Sequence, residues 1–260
     1  MIALDFGFGA IEAEFWRLVF VMTRIGAAMV AAPLFGAGSV PPQVRVIATG
    51  AVAVMVCAWM PPPSPPALLS LVGMVTVAGE VLIGLTMGFM LQIAFAAPVM
   101  AAEVIGGSMG MSMATAVDPS SGVQSPALGQ YFTVVVTLIF LAMGAHLQWI
   151  ALLIDSYRVF PPGETWLGPE KFAEAATFAA TMFATAVVIA LPVCLVLLLA
   201  QLVTGVLSRS APALNLFALG LPVGVLAGIA ALIVSAPVLT EQLTDLATAA
   251  VEAVAGLLSP

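Results

Sequence analysis

Long apolar runs separated by short polar or proline-rich stretches set the plan of this chain. A hydrocarbon core about 30 Å thick takes about 20 apolar residues as helix. On that measure the candidate spans are Trp16–Phe35, Val44–Met60, Leu68–Ala102, Leu128–Ile150, Phe172–Leu207 and Leu214–Val238. Runs of this kind predict helices, because barrel strands would appear as short alternating segments. The stretch Pro61-Pro62-Pro63-Ser64-Pro65-Pro66 cannot be helical, because its five prolines lack the amide donor, and it reads as a rigid extended connector. Asp155–Gly168, with Pro161-Pro162-Gly163, reads as a second extramembrane loop. From Thr240 onward, Glu241, Asp245 and Glu252 mark a polar-faced amphipathic helix.

Two of the spans exceed what a bilayer needs. Leu68–Ala102 and Phe172–Leu207 would each reach roughly 50 Å at 1.5 Å per residue. Strong tilt is one explanation; burial against other helices above the membrane plane, inside an assembly, is the other. Pro98 is a candidate kink near the end of the first. Arg45 and Arg209 fall in loops on one side of the six-span plan. The positive-inside rule places those loops in the cytoplasm and the acidic N-terminus outside.

Composition fixes the class. Hydrophobic residues make up 62% of the chain and charged residues 7%, with a mean hydropathy of +1.19. A soluble domain carries roughly 25% charge, so an all-α polytopic membrane protein is expected. Six bases against thirteen acids give a formal charge of −7, which argues against nucleic acid as a partner. Asp5, Glu12 and Glu14 precede any base, and no cleavable signal peptide is expected. Cys57 and Cys194 each lie inside an apolar run and read as packing residues.

The segment Gly106-Gly107-Ser108-Met109-Gly110-Met111-Ser112-Met113-Ala114 stands apart. Three glycines in nine residues make a poor helix, since each costs about 1 kcal/mol against alanine. Irregular backbone at membrane depth survives only where protein buries it or it lines a water-filled cavity. A pore loop, a hinge or a tight packing site is expected here. Glu80 and Glu103 are buried-charge candidates, either binding a proton or cation or making interhelical polar contacts. His146, the only histidine, has no partners at the spacing of a catalytic triad or metal site, so neither an enzyme nor a metal or cofactor is expected. Gly84-x-x-x-Gly88 and Gly220-x-x-x-Gly224-x-x-x-Gly228 set glycines on one helix face, where backbones approach closely.

Four stretches carry a resemblance to a known family. They are Arg24-Ile25-Gly26 with Ala32-Pro33-Leu34-Phe35-Gly36, Val40-Pro41 and Arg45; Glu103 leading into Gly106–Ala114 and then Asp118-Pro119-Ser120-Ser121-Gly122; Gly144-Ala145-His146 ahead of Asp155-Ser156-Tyr157; and Arg209-Ser210-Ala211-Pro212-Ala213-Leu214-Asn215-Leu216-Phe217 running on to Gly220-Leu221-Pro222. In order and spacing the chain resembles the FliR family of the flagellar type III export apparatus, and is closer to the flagellar than to the virulence branch. The resemblance implies a subunit of the export gate in the bacterial inner membrane, at the flagellar basal body. Its implied partners are FliP and FliQ, with FlhB and FlhA below, and its implied cargo is unfolded rod, hook and filament proteins.

Within that family residues 1–170 would be FliP-like and residues 171–260 a FliQ-like helical hairpin with its amphipathic tail. The long helices would rise out of the membrane plane inside a helical assembly. Gly106–Ala114 would be the plug that narrows the closed channel. Arg24, Pro33, Pro41, Arg45, Asp118, Pro119, Arg209, Pro212, Asn215, Phe217, Gly220, Pro222, Gly224 and Gly228 would serve packing and assembly. Asn215 has the chemistry to satisfy backbone groups at the next helix start. A virulence-type gate subunit, a stand-alone proton-coupled transporter using Glu80 or Glu103, and a membrane scaffold are the alternatives.

Overall fold

The structure, a computed structural model, describes residues 10–60, 70–111, 126–162, 168–210 and 216–259. All secondary structure among them is helical. In chain order the helices are α1 (Ala10–Ala31), α2 (Pro42–Trp59), α3 (Leu71–Ser108), α4 (Pro126–Ala142), α5 (Ala145–Val159), α6 (Pro169–Ser210) and α7 (Leu216–Leu257). The Pro61–Pro66 connector lies outside the described residues.

Four helices are long and apolar enough to cross a membrane: α2, α3, α6 and α7. The bent pair α4 and α5 passes the same test taken together, the pattern of a broken span or a re-entrant loop. This is a multi-pass helical membrane protein. α1 is not among the four, because Glu14, Arg17 and Arg24 crowd every 18-residue stretch of it that lacks Glu12.

Helix ends differ from the sequence plan at three places. The expected single span Leu128–Ile150 is broken by 69° after Ala142, where Gly144 takes a left-handed φ of +69°. Glycine carries no Cβ to oppose that conformation, so it can end one helix and start the next. Asp155–Val159, expected in a loop, is the last turn of α5, held by an Arg158–Asp155 pair at 3.0 Å. The amphipathic segment from Thr240 is not separate. With no breaker after Pro237, α7 runs unbroken to Leu257.

At 1.5 Å per residue, the 38 residues of α3 span about 57 Å and the 42 of α6 or of α7 about 63 Å. Three helices therefore exceed the bilayer, where the apolar runs predicted two. α3 continues through Pro98, α6 through Pro192, and α7 through Pro222 and Pro237. Long apolar helices tolerate such prolines when neighbours or local adjustments satisfy the freed carbonyl.

The chain forms two compact units. The first comprises residues 1–93, 144–179 and 249–260; the second, residues 94–143 and 180–248. In the first, α3 lies so close to α1 that a Cβ on Gly84 would strike the Arg24 carbonyl, and one on Gly88 the Ala28 carbonyl. The Gly84-x-x-x-Gly88 motif is thus a backbone contact, as its spacing predicts. Trp149 of α5 is fully buried, stacks on Phe35 at 5.9 Å and donates its indole N–H to the Met87 carbonyl of α3 at 3.3 Å. Lys171 at the start of α6 reaches the Gly256 carbonyl near the end of α7 at 3.2 Å, which sets those two helix ends side by side. In the second unit Phe95 of α3 meets Phe140 of α4 edge-on at 5.4 Å.

Candidate functional site

The glycine- and methionine-rich segment begins inside a helix. Gly106, Gly107 and Ser108 are the last turn of α3, not irregular backbone. Its apolar surroundings outweigh the intrinsic cost of two glycines, a tertiary override of propensity. The helix then stops in a defined way. Met111 donates to the Gly106 carbonyl and Gly110 to the Gly107 carbonyl, both at 3.0 Å, with Gly110 at φ +83°. This is a Schellman cap, in which the left-handed residue after the helix is usually glycine. Ser112, Met113 and Ala114, together with Asp118 and Pro119, lie outside the described residues.

Met109, the residue at which the helix ends, is 4% exposed. It packs on α7. A Cβ on Gly224 would stand 2.9 Å from the Met109 carbonyl oxygen, and one on Gly228 only 2.6–2.7 Å from the Met109 Cγ, Sδ and Cε. Gly220, the third member of that stripe, faces open space. The two motifs singled out separately in the sequence are therefore one contact: a methionine at a helix end, seated in a two-glycine notch. Beside it, the Gln201 side chain of α6 donates to the Ser108 carbonyl at 2.8 Å, satisfying one of the carbonyls a helix end leaves open.

The second constellation centres on Arg24, which is fully buried. Its Nε and Nη2 clasp the Glu80 carboxylate at 2.8 and 3.0 Å. Nη1 donates to the Ser156 carbonyl at 2.9 Å and to Ser156 Oγ at 3.1 Å, and Nη2 donates to the Phe160 carbonyl at 2.9 Å. All five guanidinium N–H groups are thereby used. The Arg24 Cζ lies over the ring of Tyr157, 4.2 Å from its centre, and the Tyr157 hydroxyl donates to the Val21 carbonyl at 2.8 Å. One arginine on α1 thus joins α3 and caps the carbonyls that end α5.

Arg24 and Glu80 are legible in the sequence only as isolated charges in apolar runs. Each needed a partner, and the pairing of one with the other is the signal that connects them. Ser156, Tyr157 and Phe160 carry no such signal, because the arginine uses carbonyls and a ring face. Glu103 is not buried: α3 turns it to an exposed face.

The remaining candidates take local roles. Pro33 lies in the turn after α1, and Pro41 precedes the first turn of α2 with φ −57°, a conformation its ring favours. Arg45 folds back to the carbonyls of Gly36, Ala37 and Val40 at 3.3, 2.7 and 3.2 Å, stitching the α1–α2 connection. Arg209 is exposed in the last turn of α6. Phe217, Gly220 and Pro222 belong to the start of α7, whereas Pro212 and Asn215 lie outside the described residues.

Residues 15–250 match the family described as bacterial export proteins, family 1. The flagellar biosynthetic protein FliR of Escherichia coli K12 is 33% identical over 215 residues, covering 83% of this chain and 80% of the relative. The protein of the same name from Bacillus subtilis 168 is 31% identical over 250 residues, covering 94% and 95%. The one from Caulobacter vibrioides is 28% identical over 228 residues, covering 86% and 90%.

Proposed function

The chain belongs to the FliR family of bacterial flagellar export proteins, and we propose that it builds the export channel of the inner membrane together with FliP and FliQ. In this reading FlhB and FlhA act below it, unfolded flagellar proteins pass through it, and Gly106–Ala114 closes it. Residues 1–170 form the FliP-like part and residues 171–260 the FliQ-like hairpin. The adjacent ends of α6 and α7, joined through Lys171 and Gly256, support that hairpin. Helices of about 57 to 63 Å suit an assembly that rises beyond the bilayer.

The observation that carries the plug reading is the seating of Met109. A closing element has to be held at its base and free in its conformation beyond. The Schellman cap and the Gly224–Gly228 notch supply the hold. Met111 and Met113 follow, flexible and polarisable side chains suited to sealing an irregular gap, and an apolar constriction excludes ions by dewetting. Glu80 does not serve proton coupling in this reading, since Arg24 neutralises it. Deleting Gly106–Ala114 in cells carrying the whole gate is expected to raise ion leakage across the inner membrane. Unchanged conductance, with the gate assembled, would refute the plug.

A further inference from the structure

Within the first unit a groove of about 440 Å³ lies between α3 and the first turns of α6. Ala175, Ala176 and Ala179 of α6, with Ala31 of α1, line it with nothing larger than a methyl group. Leu85, Phe89 and Phe172, which are 39%, 56% and 42% exposed, stand at its open side. The only polar side chain in the lining is Thr86, whose hydroxyl donates to the Leu82 carbonyl at 2.8 Å. The groove thus offers a ligand no side-chain hydrogen-bond donor, and a polar group placed in it would lose water without gaining a partner. Size narrows the occupant further. A helix is about 10–12 Å across with its side chains, so this volume would hold about one turn of it. A single extended hydrocarbon chain fits.

The place of the groove along α6 identifies that chain. Glu170, Lys171 and Glu174 open the helix, and no charged residue follows until Arg209. The groove therefore begins where α6 passes from charged surroundings into hydrocarbon, the depth at which a phospholipid passes from headgroup to acyl chain. Lys171, Ala175 and Ala179 stand at i, i+4 and i+8 on one face, which sets the ammonium at the end of the groove nearest the start of α6. It donates to the Gly256 carbonyl at 3.2 Å and lies 3.5 Å from Glu174, leaving one of its three N–H groups for a phosphate oxygen. We infer that this groove holds one acyl chain of a membrane phospholipid, with the lipid phosphate at Lys171. The inference rests on the membrane-spanning character of α3 and α6 and is independent of the plug.

The test purifies the tagged full-length chain in whatever complex it forms in cells and reconstitutes it in phosphatidylethanolamine vesicles. A small share of that lipid carries a photoactivatable group in one acyl chain, and peptide mapping after illumination locates the label. In the wild type the label is expected on residues 85–89 and 172–179. Ala176→Trp, which fills the groove, should lower that labelling about tenfold, equivalent to about 1.4 kcal/mol of affinity. Lys171→Gln, which keeps the groove and removes the charge, should lower it about threefold, as for a charge contact open to solvent. Leu199→Trp, at a position on α6 that is 63% exposed and outside the groove, should leave it unchanged. If Ala176→Trp fails to accumulate, Ala176→Leu and Lys171→Gln decide. Label spread evenly over the exposed apolar residues of α6, or unchanged when the groove is filled, would overturn the inference by showing only bulk lipid contact. A groove left unlabelled in the assembled complex would overturn it too, and would give the groove to a protein neighbour. Each of these outcomes leaves the export reading standing.

Discussion

The side chain of Met109 lies across Gly228, occupying the space that any Cβ there would need. The contact is asymmetric along α7. Gly228 meets a flexible thioether, which can swing aside, whereas Gly224 meets the Met109 backbone carbonyl, which cannot. Gly224→Ala should therefore displace the end of α3 and cost about 1–3 kcal/mol, the range for forced overpacking. Gly228→Ala should cost less, and Met109→Ala should relieve it while leaving Gly224→Ala unrelieved. Thermal unfolding of the purified chain and its three single and two double variants reads this out as a coupling energy. Equal costs at Gly224 and Gly228, or no coupling between residues 109 and 228, would contradict the seating.

Arg24 and Glu80 join α1 to α3 at 2.8 Å in a site with almost no solvent. Removing one partner leaves the other charged and buried, at a cost of about 3–5 kcal/mol. Arg24→Met should thus prevent stable accumulation of the chain, and Glu80→Met should come close to it. Replacing both by methionine should recover much of the loss, because the pair's own desolvation cost disappears with it. Arg24→Lys should not rescue: an ammonium cannot clasp Glu80 in two places and still reach both Ser156 and Phe160. Protein levels in membranes and melting in detergent measure the order. A double variant no better than the worse single one would show that the site acts through something other than charge.

Much of this was readable from the chain, for identifiable reasons. Helical class and most spans follow from apolar run length, because in a bilayer every backbone polar group needs an internal partner. Gly84 and Gly88 announced a close approach by their spacing. The break at Gly144 was not legible, since the apolar run continues through Leu141, Ala142 and Met143 and only the left-handed φ of one glycine turns it. Likewise Gly106 and Gly107 counted as irregular backbone on propensity, yet they are helical while the third glycine, Gly110, makes the turn. Composition says that a segment is glycine-rich; which glycine takes the positive φ depends on where neighbouring helices meet it. The Arg24 site was half legible, as two unmatched charges. Its carbonyl partners were invisible, because every residue has a carbonyl.

Glu80, Gly84 and Gly88 stand at i, i+4 and i+8, one face of α3. The glycines bring the α3 backbone against α1 at Arg24 and Ala28, and that approach is what lets Glu80 reach the guanidinium. Gly84→Ala should therefore act twice. Its Cβ meets the Arg24 carbonyl, with the Ala27 Cβ and Ala28 nitrogen at 3.0 Å behind it, all parts that cannot yield cheaply. Pushing α3 away also stretches the buried ion pair, and a loss of about 3 kcal/mol or more is expected, within the range for a broken buried pair. Gly50 in α2 is the control: a Cβ there meets only the Met22 Cε at 4.0 Å. Gly50→Ala should instead stabilise by about 1 kcal/mol, the usual gain for glycine to alanine in a helix interior. Melting temperatures of the two variants should move in opposite directions from wild type. If Gly84→Ala melts with wild type, the close approach does not hold Glu80 on Arg24, and the link from glycine spacing to ion pair is broken.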